Sequence, residues 1–285
     1  VGTALPETMV PIIAFLGVGK GDALTEVGIG AILGAPFMLA TLALFISGIA
    51  VLGFRRNNKP LFINAAVIKR DLSFFILVYG LAILASFLPS PSLKLVVVGL
   101  LPLLYILYVI KTVRSSIGTE EQESLPPLYL AQKKSNPSLG IIIVQLILAL
   151  MGIILGAHAF VDTIQSVALA TGISALVLSL IITPIATELP EKFNSVIWLK
   201  RGKDTLAVGN ITGAMVFQSS LIPALGIALT PWKLEPLALW SAILAIGAGY
   251  FILSTIRRRG LVTPLHFVGV GAFYLIFILT LPFLF

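Results

Sequence analysis

Nine apolar segments, most of them long enough to cross a lipid bilayer as a helix, follow one another along the chain. Their approximate bounds are 1–18, 27–54, 72–88, 93–110, 139–170, 173–199, 206–229, 236–256 and 262–285. About 20 apolar residues span the hydrocarbon core of a bilayer, where the backbone must satisfy its own hydrogen bonds. With 58% hydrophobic and only 11% charged residues, the sequence predicts an all-α, multi-pass membrane protein.

The Lys and Arg residues predict how these segments are oriented. Counted over alternate loops, fifteen of the 19 lie on one side and three on the other, while Lys192 lies within a segment. The larger group is Arg55, Arg56, Lys59, Lys69, Arg70, Lys111, Arg114, Lys133, Lys134, Lys200, Arg201, Lys203, Arg257, Arg258 and Arg259. Since positive residues concentrate in cytoplasmic loops, we expect this side in the cytoplasm and the C terminus outside. The excess of basic residues is therefore explained by the cytoplasmic loops of a cell-membrane protein, and we expect no nucleic-acid partner.

Two copies of the pattern Thr-x-Leu-Pro-Glu, at 3–7 and 187–191, place acidic side chains inside apolar segments. A charge at the centre of a bilayer costs about 2.5–3.5 kcal/mol on insertion scales, so intramembrane carboxylates indicate a functional site. The charge count makes the two motif-bearing segments cross the membrane in opposite directions. Inverted repeats with proline in their helices are typical of secondary transporters that bind their substrate near the bilayer midplane.

Each motif is followed by a glycine pair with the same internal spacing, Gly30 with Gly34 and Gly209 with Gly213. Small residues four apart allow two helices to approach closely. Ordinary helix packing explains such pairs equally well, so they add to the repeat without assigning a function.

Together these features resemble the alpha repeats of the cation/calcium antiporter superfamily, most closely the sodium/calcium exchanger family. The family pattern is roughly Gly-Thr-Ser-Leu-Pro-Glu, followed by Gly-x-x-x-Gly-Ser-Asn-x-x-Asn. The family has ten helices with both termini outside. The resemblance therefore implies an inverted-repeat antiporter fold with about nine of the ten helices present. It divides the chain into a first repeat half at 1–113 that lacks the first helix, a cytoplasmic linker at 114–138 and a second repeat half at 139–285.

The resemblance also implies a divalent-cation site formed by Thr3, Glu7, Thr187 and Glu191. Carboxylate and hydroxyl oxygens are suitable ligands for a hard cation such as Ca²⁺. Pro6 and Pro190 lack an amide donor, so nearby carbonyl groups are left free to face an ion. We expect exchange of Ca²⁺, or a similar divalent cation, for Na⁺ or H⁺ by alternating access, with no further cofactor.

The chain departs from the family pattern at several polar positions. Ala4, Ala35 and Ala214 replace serines, which argues against the usual sodium sites because a buried ion needs polar partners. Glu188 replaces the remaining serine, and Gln218 stands at a later Asn or Asp position. Crowded carboxylates in a medium of low dielectric constant share a proton, so we expect Glu188 and Gln218 to form a coupling or proton site. The alternative is that Glu188 pairs with Lys192 or faces a water-filled cavity.

His158 and Asp162 lie four residues apart, on one face of a predicted helix. They are a candidate proton relay, although they could instead line the mouth of a cavity or pair structurally. The string from Gly19 to Asp22 matches the Gly-x-Gly-Asp of intramembrane aspartyl proteases, but only Asp162 approximates the second aspartate that this chemistry requires. Common hydrolase and ATP-binding motifs are missing, and we expect no enzymatic activity.

The chain begins at Val1, two residues before the first motif, and we expect further residues before it in the native protein. A monomer is compatible with the sequence, with inorganic cations and the lipid bilayer as partners. The alternative to a transporter is a truncated or non-transporting membrane scaffold of the same fold.

Overall fold

The computed structural model describes residues 5–17, 22–55, 59–116, 128–132 and 137–284. All regular structure in these ranges is helical. The α-helices are α1 (Leu5–Leu16), α2 (Asp22–Met38), α3 (Leu44–Arg55), α4 (Ala65–Leu84), α5 (Pro91–Ser116), α6 (Leu139–Thr171), α7 (Ala175–Lys200), α8 (Asp204–Gln218), α9 (Leu221–Leu229), α10 (Pro236–Arg259) and α11 (Pro264–Leu284).

In the described ranges, these helices form nine consecutive segments. A π-helical turn at Leu39–Ala43 joins α2 to α3, and a turn at Ser219 and Ser220 separates α8 from α9. Six segments are long and apolar enough to cross a membrane. By contrast, α4 and α7 each carry three or more charged residues, and α1 is shorter. The prediction of nine apolar, helical segments is confirmed for this part of the chain.

The largest error in the predicted bounds concerns α4, which begins at Ala65 rather than near residue 72. The side chain of Asn64 caps it by accepting hydrogen bonds from the backbone nitrogens of Ala66 (3.1 Å) and Val67 (3.4 Å). An Asn at this position satisfies amides that the first helical turn leaves unpaired. Lys69 and Arg70, which the sequence analysis counted as loop residues, therefore lie inside the helix, and their neighbour Asp71 is buried.

The two repeats meet most extensively where α2 packs against α7. A β-carbon on Gly30 would lie 2.8 Å from the carbonyl oxygen of Leu176, and one on Gly34 would lie 2.3 Å from that of Leu180. Only glycine allows this approach. Pro184 has no amide hydrogen, so it cannot donate a helical bond to the Leu180 carbonyl. The first glycine pair therefore packs two helices together.

The second glycine pair behaves differently. Among the described residues, nothing lies within 4 Å of a β-carbon built on Gly209, and Gly213 has only the Tyr108 hydroxyl at 3.6 Å. Helix packing was therefore the wrong interpretation for this pair in the part of the chain that is described. The repeats share their glycines but use them in different ways.

An ion pair at the predicted cytoplasmic ends fixes the start of α8. Asp204 is buried and accepts hydrogen bonds from both terminal nitrogens of Arg55, at the end of α3. It also accepts one from the backbone nitrogen of Phe62, at 2.8 Å. Arg55 in turn donates to the carbonyl of Leu199, at 3.1 Å. These bonds tie the first repeat to the turn between α7 and α8.

Candidate cation site

Three carboxylates from the two repeats converge where α1 meets α7. Oxygen atoms of Glu7, Glu188 and Glu191 all lie within 4.8 Å of one another. Glu7 comes from the first turn of α1, whereas Glu188 and Glu191 project from one face of α7 because they lie three residues apart. We refer to Glu7, Glu188 and Glu191 as the carboxylate group.

Several oxygens at this point have no hydrogen-bond donor among the described residues. They are both oxygens of Glu7, Oε2 of Glu188 and Oε1 of Gln218. Glu7 is 5% exposed and Glu188 is 0% exposed. Buried charges are normally paired or bound to a metal ion, because removing them from water is costly. The arrangement therefore suits a positively charged ligand.

The spacing of the carboxylate group fits a single divalent cation. Ca²⁺ binds six to eight oxygens at about 2.3–2.6 Å, so two of its ligands lie no more than about 5 Å apart. The 4.8 Å limit on the separations in the carboxylate group satisfies this condition. That the group binds a cation stays a prediction.

Gln218 joins the carboxylate group through a hydrogen bond. It is the last residue of α8, and its Nε2 donates to Oε1 of Glu188. Both side chains are buried. The other polar atom of the amide, Oε1, accepts no hydrogen bond from the described residues, so it is a further oxygen that is available to a cation. The sequence comparison had placed Gln218 at this site, and the structure brings it there.

Lys192 also lies at the site, and it forms the ion pair considered as the alternative for Glu188. Its Nζ is 3.3 Å from Oε2 of Glu188 and 3.5 Å from Oε2 of Glu191. The positive charge of Lys192 therefore balances the charge on Oε2 of Glu188, although this oxygen accepts no hydrogen bond from the described residues. Four residues separate Glu188 from Lys192, a spacing at which side chains on a helix meet.

The two predicted threonine ligands have different outcomes. Thr187 lies one helical turn before Glu191, on the same face of α7, and its hydroxyl donates to the carbonyl of Thr183 at 3.0 Å. The lone pairs of that hydroxyl oxygen stay available for a cation. Thr3 lies outside the described residues.

A cavity of about 310 Å³ borders the site. Tyr105 and Tyr108 of α5 form one wall, and α8 forms another through residues that include Gly209 and Gly213. Glu191 and Gln218 also line it, so the cavity reaches the carboxylate group. The second glycine pair thus contributes open space rather than a helix contact.

The structure does not bring His158 and Asp162 to the site. Both side chains are exposed on α6, and neither lines the cavity that reaches Glu191. His158 Nδ1 lies 2.9 Å from the carbonyl oxygen of Ile154, one turn earlier on the same helix. The ion pairs found in the described ranges do not join His158 to Asp162. In the described ranges the structure therefore places neither residue at the carboxylate group or at this cavity, and a role for them in a proton relay stays a prediction.

The sequence analysis missed a buried polar cluster beside the cavity, centred on Asp71. Its Oδ2 accepts a hydrogen bond from Thr212 of α8 at 2.8 Å, and its Oδ1 accepts one from Tyr108 of α5 at 3.1 Å. Arg70 pairs with the same oxygen at 3.1 Å. The N-cap signal of Asn64 would have placed Asp71 inside a helix and so revealed it. Asp71 holds α4, α5 and α8 together next to the site.

Comparisons with known proteins agree with this architecture. The inner membrane protein YrbG of Escherichia coli is 27% identical over 241 residues, which is 84% of this chain and 69% of YrbG. The putative antiporter CaxA of Alkalimonas amylolytica is 26% identical over an alignment that spans 94% of this chain and 83% of CaxA.

Solved structures show the same fold at lower sequence identity. The crystal structure of the H⁺/Ca²⁺ exchanger CAX superimposes with a TM-score of 0.76 at 18% identity, covering 98% of this chain and 71% of CAX. The sodium-calcium exchanger NCX_Mj superimposes with a TM-score of 0.64 at 22% identity, covering 98% of this chain and 83% of NCX_Mj. The chain therefore has the inverted-repeat antiporter fold.

The sodium/calcium exchanger protein family matches residues 141–283, which include α7 and its two carboxylates at the site. The match covers the second repeat, and the first repeat supplies Glu7 to the same group. On this agreement of sequence, fold and motif, the chain belongs to the sodium/calcium exchanger family.

Proposed function

We propose that this protein is a secondary antiporter that exchanges Ca²⁺, or a similar divalent cation, for Na⁺ or H⁺ by alternating access. The observation that carries the proposal is the convergence of Glu7, Glu188 and Glu191 at a buried point shared by both repeats. The similar structures include an H⁺/Ca²⁺ exchanger and a sodium-calcium exchanger, so Ca²⁺ is the ion named for both. The family is one of ion exchangers, and transport is therefore the activity proposed.

In this proposal the cation binds between the two motifs. Glu7 and Glu191 supply one carboxylate from each repeat, and the Thr187 hydroxyl and the Gln218 Oε1 atom complete part of the oxygen shell. Thr3 is assigned the role equivalent to Thr187 through the repeat. Glu188 is assigned to counter-ion coupling, since it lies between Gln218 and Lys192 and belongs to the same group.

We also propose the membrane orientation and division of the chain that the charges indicate. Residues 1–113 and 139–285 form the two repeat halves, and 114–138 form a cytoplasmic linker. The segment order supports this, because α5 ends at Ser116 and α6 begins at Leu139. The C terminus then lies outside, which a reporter fused after Phe285 can test by its accessibility in intact cells.

The transport activity can be tested with the purified protein in liposomes. Uptake of ⁴⁵Ca²⁺ is measured with an outward Na⁺ gradient, an outward H⁺ gradient or neither. We expect one of the gradients to drive uptake, and Glu7→Gln or Glu191→Gln to abolish it by removing a charged ligand. Glu235→Gln, before α10 and outside the carboxylate group, is the matched control. Absence of gradient-driven uptake by the wild-type protein would favour a non-transporting scaffold.

The role of Glu188 needs its own measurement. Uptake by Glu188→Gln is compared with that of the wild type under each gradient. A changed dependence on Na⁺ or H⁺ supports Glu188 as the coupling residue. Unchanged coupling, at whatever uptake rate remains, removes Glu188 from that role and leaves it as the ion-pair partner of Lys192.

A further inference from the structure

Lys192 places its ammonium group against two members of the carboxylate group. The ammonium nitrogen lies 3.3 Å from Glu188 and 3.5 Å from Glu191, and the side chain is 4% exposed. A lysine is seldom so buried unless an opposite charge compensates it. Here the compensation comes from the same carboxylates that approach Glu7.

The ammonium and a divalent cation make conflicting demands on these carboxylates. A cation bound to Glu188 and Glu191 would lie close to the Lys192 ammonium, and like charges at short distance in a medium of low dielectric constant repel strongly. The lysine side chain has a flexible stem of four carbons, so its ammonium can move without a change in the backbone. Rotation of the lysine side chain away from the two carboxylates would therefore admit the cation without moving the helix.

The formal charges at the site indicate which kind of ion would displace the ammonium most readily. When all three carboxylates are ionised, they and the one ammonium give the site two negative charges. A monovalent ion that displaced the ammonium would replace one positive charge with another of equal size. A divalent ion adds a further charge to the attraction, so it is the better competitor.

We propose that Lys192 is a tethered competitor for the transported cation, which sets its affinity and favours divalent over monovalent ions. Its ammonium binds Glu188 and Glu191 when no divalent cation is bound, and it leaves them when one binds. The inference rests on the proposed function, because it requires that the carboxylate group bind a divalent cation. It assigns to Lys192 a positioning and selectivity role that a purely structural ion pair would not have.

The test is equilibrium binding of ⁴⁵Ca²⁺ to the purified full chain, with and without NaCl as competitor at constant ionic strength. The variants are Lys192→Met, which keeps the length of the side chain but not its charge, and Lys192→Arg, which keeps the charge. Lys200→Met is the matched control, since Lys200 is exposed at the end of the same helix. Size-exclusion chromatography checks folding, and Lys192→Gln replaces the Met variant if that variant aggregates.

We expect Lys192→Met to bind Ca²⁺ at least about tenfold more tightly, the size expected when a close charge pair no longer competes. Na⁺ should also compete more effectively with Ca²⁺ in this variant. Lys192→Arg and Lys200→Met should stay within about twofold of the wild type. Unchanged or weaker Ca²⁺ binding by the Met variant overturns the inference, because Lys192 would then only hold the carboxylates in place. The same is true if Lys192→Arg binds like Lys192→Met.

The outcome also separates this inference from the proposed function. If the wild type binds Ca²⁺ and Glu7→Gln does not, the cation site stands whatever Lys192→Met shows. If the wild type binds no Ca²⁺ and Lys192→Met binds none either, the proposed site and the competition both fail.

Discussion

The side-chain amide of Gln218 donates a hydrogen bond to the carboxylate of Glu188, and this bond joins the end of α8 to the middle of α7. The two residues lie 30 positions apart in the sequence, and both are buried. Glu188 therefore receives a neutral donor on one oxygen and the charge of Lys192 on the other. The site is stabilised by both kinds of partner.

Gln218→Leu removes the donor while keeping a side chain of similar size. A buried acceptor that loses its partner costs about 1–3 kcal/mol, so the free energy of unfolding should fall by that amount. Binding of Ca²⁺ should weaken as well, because Oε1 of Gln218 is lost. Thermal unfolding of the detergent-solubilised protein and ⁴⁵Ca²⁺ binding measure the two effects. Gln165→Leu on α6 is the control, and equal losses in both variants would contradict the role of Gln218.

Asp71→Asn tests the buried cluster beside the cavity. The charge of Asp71 is paired with Arg70 and hydrogen-bonded to Thr212 and Tyr108. Breaking one partner of a buried pair costs about 3–5 kcal/mol, so we expect a clear fall in the thermal unfolding temperature. Asp162→Asn makes the same change on the exposed face of α6 and should have little effect. Similar unfolding temperatures for the two variants would rule out Asp71 as a main link between α4, α5 and α8.

Because the two glycine pairs are packed differently, we expect Gly34→Ala and Gly209→Ala to change stability in opposite directions. In Gly34→Ala the new β-carbon would meet the carbonyl oxygen of Leu180 at 2.3 Å, so the helices must separate. Overpacking of this kind costs about 1–3 kcal/mol. In Gly209→Ala the added carbon meets nothing within 4 Å among the described residues, and the higher helix propensity of Ala should add up to about 1 kcal/mol. Shifts of the same sign and size in thermal unfolding would contradict the difference between the pairs.

Asp204→Ala tests the ion pair at the start of α8. The variant leaves Arg55 without its carboxylate and the Phe62 amide without its acceptor. Because Arg55 keeps partial contact with solvent, we expect a loss of about 1–3 kcal/mol, the cost of an unsatisfied polar group. Asp22 begins α2 as Asp204 begins α8, but it is exposed, so Asp22→Ala is the control. Thermal unfolding checks both, and an equal response would show that Asp204 contributes no more than a surface residue.

Much of the fold could be predicted from the sequence, because membrane helices are specified by length and hydrophobicity. The repeat frames also identified Glu7, Glu188, Glu191 and Gln218, which the structure brings together. The sequence analysis also gave an ion pair between Glu188 and Lys192 as an alternative, and the structure contains that pair. The sequence left open whether Glu188 pairs with Lys192, faces a cavity or forms a proton site. The contacts of Glu188 depend on side-chain rotamers and on the position of α8, and a local sequence pattern does not contain that information.

Other parts depended on contacts between distant segments. Charge next to an apolar run usually marks a helix end, yet Asp71 lies inside the protein, where Thr212 and Tyr108 compensate it. Matching glycine spacing could not distinguish Gly34, which touches α7, from Gly209, which borders the cavity. His158 and Asp162 share a helix face, but periodicity alone could not show that this face is exposed.

The backbone contact between Gly34 and Leu180 limits which helices can move. Two backbones packed this closely at a glycine resist sliding, because any translation would bring a larger residue or a carbonyl oxygen into the neighbouring helix. We therefore expect α2 and α7 to remain one rigid body throughout a transport cycle. By contrast, α6 exposes most of its surface and packs mainly along α1. Translation of α6 against this fixed pair would cost little in packing, and Glu188 and Glu191 on α7 would stay still while α6 moves.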